Sequence, residues 1–256
     1  MSTVKQFALS ARGVEKRFGA VVAAAAITLD IPQGQRVSLI GSNGAGKTTF
    51  VNMITGYIKP DAGEISLHGK RITGLAPRQI AGMGIARSFQ IPQLYKELSV
   101  MDNMAVAIAC QPGNLSFWRP AKNAATIARS AELLERFGLT SQSDRLVSEL
   151  PGGVRKLLDI ALALTRQPKV LLLDEPTSGV STEEKFPMMD IVMRALEQEA
   201  MTVLFVEHDM DIVQRYADRV VAFYSGRVIA DGTPDAVLDN IDVQRHVTGT
   251  ARQEEK

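Results

Sequence analysis

Apolar positions along the chain follow two rhythms. Short β-rich runs recur at residues 27–31, 36–40, 64–67, 170–173, 202–206 and 219–224, with helical stretches between them. Three of them, around SLI, VLLL and VLFV, lack the apolar/polar alternation of a half-exposed strand. That predicts strands buried on both faces of a parallel sheet, hence an α/β core. Between about 91 and 150 the strand signals vanish. MDNMAVAIA and ATIARSAELLERFGL carry apolar residues at helical spacing, and Gly138 stands where the second helix would stop. QPGNLSFWRP, with its Pro, Gly and Asn, predicts a loop between these helices. The expected division is therefore a core of residues 1–91 and 159–256 with a helical subdomain inserted at 92–158. No internal repeat or low-complexity tract interrupts it, and the charged end ARQEEK is expected to fray.

Composition narrows the function classes. The chain has 29 Lys and Arg against 28 Asp and Glu, a net charge of +1, and lacks any run of five or six basic residues. Such a balance supplies no field for a polyphosphate backbone, so nucleic acid is not an expected partner. Cys110 is the single cysteine and forms no intramolecular disulfide, which fits a reducing compartment, the cytoplasm. The N-terminal stretch MSTVKQFALSARG does not read as a secretory signal, and no apolar run approaches the roughly 18 residues of a spanning helix. Docking on a membrane remains open. Cys110, Trp118 and the Met-rich stretch at 186–189 are read as packing.

Chemistry concentrates at residues 41–48. Gly41, Ser42, Asn43, Gly44, Ala45, Gly46, Lys47 and Thr48 satisfy G-x-x-x-x-G-K-[ST] between the strand RVSLI and the helical stretch that begins at Thr49. Glycines let successive N–H groups point into one concavity, and a helix starting there adds the positive end of its dipole. Lys47 is expected to neutralise β/γ-phosphate charge and Thr48 to offer a hydroxyl to Mg²⁺. Downstream, VLLLDEP sets Asp174 and Glu175 at a strand end, where ligands of open α/β sheets bind. Asp174 is assigned to the Mg²⁺ shell, and Glu175 to orienting or deprotonating the water that attacks the γ-phosphate. His208 ends another strand in VLFVEHDM; by itself such a histidine is as readily structural.

As a set these residues resemble the ATP-binding subunits of ABC transporters. The phosphate loop GSNGAGKT, the Ser88-Phe89-Gln90 segment, LPGGVRKLLDIALAL, LLLDEPTSG and VEHD match in order and spacing over roughly residues 12–235. The resemblance implies ATP and Mg²⁺ as cofactors, Gln90 as a Mg²⁺ and water ligand, and His208 as a γ-phosphate contact. It also implies Phe18 as the aromatic stacking on adenine, a position that otherwise reads as core. The implied fold is α/β, a P-loop NTPase (RecA-like) core with an N-terminal antiparallel β portion and the inserted helical subdomain. GIARSFQIPQLYKELSVMDNMAVA and the stretch after VEHD look like the subgroup serving branched-chain amino acid and amide uptake. That resemblance implies a peripheral protein on the cytoplasmic face of the cell membrane. Its implied partners are a second ATPase subunit of different sequence, two membrane permease subunits and an extracytoplasmic solute-binding protein.

One segment departs from the family pattern. Where the subgroup has Leu-Ser-Tyr-Gly-Gln, this chain has Leu150-Pro151-Gly152-Gly153-Val154, and Leu157 and Leu162 stand where arginines are usual. The resemblance places Pro151, Gly152 and Gly153 against the nucleotide of the partner subunit. Pro151 lacks both the hydroxyl and the N–H that would face that γ-phosphate. Losing one charge-assisted hydrogen bond, roughly 1.5–3 kcal/mol, would weaken the shared site about tenfold or more. The alternative is that a helix start simply tolerates Pro. Competing functions are a catalytically weak regulatory subunit and a soluble ABC ATPase acting on ribosomes or DNA. A small-molecule kinase would not account for LPGG and VEHD together.

Overall fold

The computed structural model describes residues 7–111, 122–197 and 201–249. The first six residues, Trp118, the loop expected after Gln111 and the terminal ARQEEK lie outside the described residues. In chain order the strands and helices are β1 (Phe7–Phe18), β2 (Val21–Pro32), β3 (Arg36–Gly41), α1 (Lys47–Ile54), β4 (Ala62–Leu67), β5 (Lys70–Arg71), α2 (Pro77–Gly82) and β6 (Ile85–Ser88). They continue with α3 (Val100–Ala109), α4 (Ala124–Arg136), α5 (Gly152–Leu164), β7 (Val170–Asp174), α6 (Thr182–Glu197), β8 (Thr202–Val206), α7 (Met210–Tyr216), β9 (Arg219–Tyr224) and β10 (Arg227–Gly232). Two short helices, α8 (Pro234–Leu238) and α9 (Ile241–Val243), and a π-helical turn at Gln244–Thr248 follow.

The chain divides into two compact units. The first comprises Met1–Ile85 and Thr202–Lys256. Its parallel core is β3, flanked by β8 and β9 in parallel register, with β10 added antiparallel beyond β9. Every residue of β8 and all but Arg36 of β3 are buried, as the unbroken apolar runs require. An antiparallel sheet of order β2-β1-β4-β5 forms the N-terminal β portion. β1 is absent from the apolar pattern because its pairing with β2 slips between Ala11 and Val14, around Gly13, and the period of two is lost there. β10 went unmarked for lack of a buried run.

The second unit is Ala86–Met201, wider than the 92–158 segment drawn from the pattern. It holds α3, α4 and α5 packed on one another, α6 against α4 and α5, and β7 beside β6. Each helix start has a physical cause. Ser99 accepts from the Asp102 N–H at 3.0 Å to begin α3, and Asn123 accepts from Thr126 at 3.0 Å to begin α4. Gly138, at φ 66°, follows the end of α4 as the sequence suggested. Met188 and Met189 are buried in α6, while Cys110, at the end of α3, is exposed and does not pack as expected.

Candidate functional site

In the first unit, the loop from Gly41 to Gly46 carries the end of β3 into α1. Gly41, Gly44 and Gly46 have φ of 154°, 79° and 105°, values that favour glycine. Two of them also lack room for a side chain. A Cβ on Gly41 would lie 2.5 Å from the Phe223 carbonyl oxygen, and one on Gly46 would collide with the Ala23 carbonyl. The curl is closed by Ala45 N–H to Ser42 O at 3.1 Å. It is backed by the β9–β10 turn, where Gly226 donates to the Ala45 carbonyl at 2.9 Å and accepts from Ala25 at 2.8 Å. Ser225 and Gly226, at φ 46° and 75°, form the hairpin turn that reaches this position.

Lys47 opens α1 and folds its ammonium back over the loop, donating to the carbonyl oxygens of Gly41 at 2.6 Å and Ser42 at 3.1 Å. It is nearly buried, and Thr48 beside it is exposed. α1 has eight residues with no acidic side chain in its first turn, so its dipole end is uncompensated by the chain. Backbone curl, buried cation and exposed hydroxyl together fit a phosphate chain with Mg²⁺. Phe18 ends β1 and is 49% exposed, which removes the core alternative; Lys16 Nζ lies 5.5 Å from its ring centre. His208 follows β8 and is exposed. Its N–H donates to Glu207 Oε2 at 3.1 Å, while Asp209 caps α7 by accepting from Asp211 N–H at 3.2 Å, so the histidine sits between two anchored neighbours.

The second unit brings Gln90 and Glu175 together: Gln90 Nε2 donates to Glu175 Oε2 at 2.6 Å. Glu175 is one of five described non-glycine residues at positive φ, 47°, and its carbonyl accepts from Ser178 to close the turn after β7. A left-handed glutamate costs about 1–2 kcal/mol, a cost met where a site dictates the backbone. Asp174, buried at the end of β7, pairs with the half-buried Arg87 at 2.5 Å. Arg87 in turn lies 5.0 Å over the Phe89 ring. Burial pushes the Asp159 carboxyl upward, opposed by the hydroxyl of Ser88, which donates at 2.5 Å, and by nearby Lys156.

Pro151 is the N-cap of α5, with φ −58° and ψ 157°, exposed, and its carbonyl accepts from Arg155 at 3.0 Å. Proline fits here because a helix start needs no N–H from that residue. Gly152 and Gly153 have ordinary space around them, with the Gly179 carbonyl 3.8 Å from a Cβ at 152. Leu157 is buried and Leu162 half-buried. Arg87, Lys156 and Asp159 were not singled out from the sequence. A Lys and an Asp three apart on an apolar helix read as a surface pair, and only burial distinguishes them.

Comparison with known proteins agrees with this geometry. The sequence profile of the family described as ABC transporter matches residues 24–178. The high-affinity branched-chain amino acid transport ATP-binding protein LivG of Salmonella typhimurium is 36% identical over 251 residues, covering 95% of this chain and 98% of that protein. BraF of Pseudomonas aeruginosa, named for the same transport role, is 35% identical with the same coverage. Among solved structures, the ADP conformation of an ATP-binding cassette of an ABC transporter superposes with a TM-score of 0.82 and 32% identity, covering 93% of this chain and 97% of that one. A nucleotide-free cassette superposes with a TM-score of 0.81 and 30% identity, with the same coverage.

Proposed function

This chain belongs to the ABC transporter family as an ATP-binding subunit, and from that premise we propose that its hydrolysis of ATP drives uptake of branched-chain amino acids or related amides. The observation carrying the proposal is the phosphate loop: a glycine curl with no room for side chains at 41 and 46, closed over by the buried Lys47. Residues 41–48 bind the triphosphate through the backbone N–H groups of the loop and Lys47, Thr49 adds to the helix start, and Phe18 stacks on adenine. Thr48, Gln90 and Asp174 would hold Mg²⁺, which when bound supplies positive charge to the β- and γ-phosphate oxygens. Glu175 orients and deprotonates the attacking water, and Gln90, bonded to it, fixes its carboxylate. His208 contacts the γ-phosphate.

The solute assignment is supported by the names of LivG and BraF, transport ATP-binding proteins for branched-chain amino acids. Among the described residues no helix is long and apolar enough to cross a membrane. The family resemblance supports an assembly with two permease subunits, to which this chain docks on the cytoplasmic face, and an extracytoplasmic binding protein. The segment 92–158 is the docking part. The second cassette is a different chain, because Pro151 removes one or two phosphate contacts from the site it would share; this subunit's own loop then faces an intact partner signature and is the hydrolysing one.

The test is phosphate release by the purified chain, alone and reconstituted with candidate permease and binding-protein partners in vesicles. Mg-ATP binding lost on Lys47→Ala, and turnover raised by leucine in the reconstituted system, are the expected results. Wild-type protein without affinity for Mg-ATP, or Lys47→Ala with unaltered affinity, overturns the function.

A further inference from the structure

α5 carries two buried charges for which the proposed chemistry has no use. Lys156, 2% exposed, donates to the carbonyl oxygens of Phe89 at 2.8 Å, Gln90 at 3.1 Å and Asp174 at 3.4 Å. Asp159 lies three residues on, hence on the same face of the helix. It accepts from Ser88 Oγ at 2.5 Å, Phe89 N at 3.2 Å and Gln93 N at 3.4 Å. A buried charge is retained only where it is fully engaged, and both of these bind backbone or hydroxyl groups of one short segment, 88–93, with the Asp174 carbonyl as a further acceptor for Lys156.

The third contact of Lys156 is the informative one. The Asp174 carbonyl belongs to the peptide bond that leads into Glu175, the residue held at φ 47°. Lys156 thus grips the backbone on both sides of the Gln90–Glu175 hydrogen bond, through the Gln90 carbonyl on one and the Asp174 carbonyl on the other. Asp159 clamps the same segment two residues before Gln90 and three after it. A helix serving only to pack would place apolar side chains at both positions, as α5 does at Leu157, Leu158 and Ile160.

We propose that Lys156 and Asp159 are positioning residues that set the Gln90 amide against the Glu175 carboxylate. The inference rests on the hydrolytic role assigned to Glu175. It makes Lys156 and Asp159 matter for the rate of cleavage and not for the grip on nucleotide.

A double-mutant cycle on the full chain with its partners decides it. Lys156→Met is expected to lower kcat about 10- to 100-fold with KM for Mg-ATP changed less than about twofold, the signature of misplaced catalytic groups. Lys156→Arg should recover most of the rate. In a Gln90→Ala background Lys156→Met should cost less than about threefold, because its route of action is already gone. Should Lys156→Met fail to fold, Asp159→Asn with rescue by Asp159→Glu carries the same cycle. Equal losses in both backgrounds, or a rise in KM with kcat intact, overturn the inference while leaving the function standing. A wild-type assembly without turnover overturns the function itself and the inference with it.

Discussion

The phosphate loop at 41–46 and the segment at 88–93 both prepare polar groups for nucleotide chemistry, yet they are made from different materials. The first is shaped by backbone: glycines at positive φ, close carbonyl approaches at 41 and 46, and a hydrogen bond from the Gly226 turn. The second is held by side chains from elsewhere in the chain, Lys156 and Asp159 of α5, with Arg87 on Asp174 nearby. A backbone-built site fails when a side chain is added, whereas a site built by side chains fails by degrees as they are trimmed. Affinity should follow the first region and rate the second.

Three experiments strain that contrast, in descending size of effect. Gly46→Val should abolish Mg-ATP binding and turnover together, since its side chain would enter the Ala23 carbonyl and its φ of 105° excludes a β-branched residue; titration calorimetry finding ordinary affinity would show the loop is not backbone-limited. Glu175→Gln should keep affinity and lose about 10²- to 10⁴-fold in phosphate release, the cost of removing a general base. Equal turnover in that variant would take Glu175 out of the chemistry. Pro151→Ser should speed turnover of the reconstituted pair by about tenfold through one restored charge-assisted hydrogen bond, and identical rates with Pro and Ser would mean that the helix start tolerates proline without functional cost.

The smallest effect is on pH dependence in the first unit, away from both loops. Burial raises the Asp218 carboxyl, but hydrogen bonds from the Arg36 side chain and N–H outweigh it, leaving the group below the usual carboxylate range. A depressed native value stabilises the fold above the ordinary range and is lost as pH falls below about 4. The pair is over a third exposed, so at most about 1 kcal/mol is at stake. Denaturant unfolding at pH 6 and pH 3 should show a smaller acid loss for Asp218→Asn than for the parent chain. Parallel losses in the two would sink this assignment.

What was legible in the sequence follows the same division. Glycine spacing between a strand and a helix announces a phosphate loop because each glycine answers a local backbone demand, and 41–48 lie where the motif put them. The unbroken apolar runs found β3, β7 and β8 for a comparable reason: burial on both faces leaves no alternative composition. β1 stayed hidden because slips in its pairing, and Gly13 among them, break the alternation that identifies strands. Arg87, Lys156 and Asp159 were silent because their meaning lies in partners dozens of residues away, and no local pattern separates a buried charge from a solvated one. Phe18 reads equally as core or as exposed aromatic until its accessibility is known.

The turn at Ser225 and Gly226 has a consequence for how the protein is born. During synthesis the glycine curl emerges early, but the hairpin that backs Ala45 leaves the ribosome only when most of the chain has been made. A nascent chain halted before β9 therefore carries the complete motif without its backing.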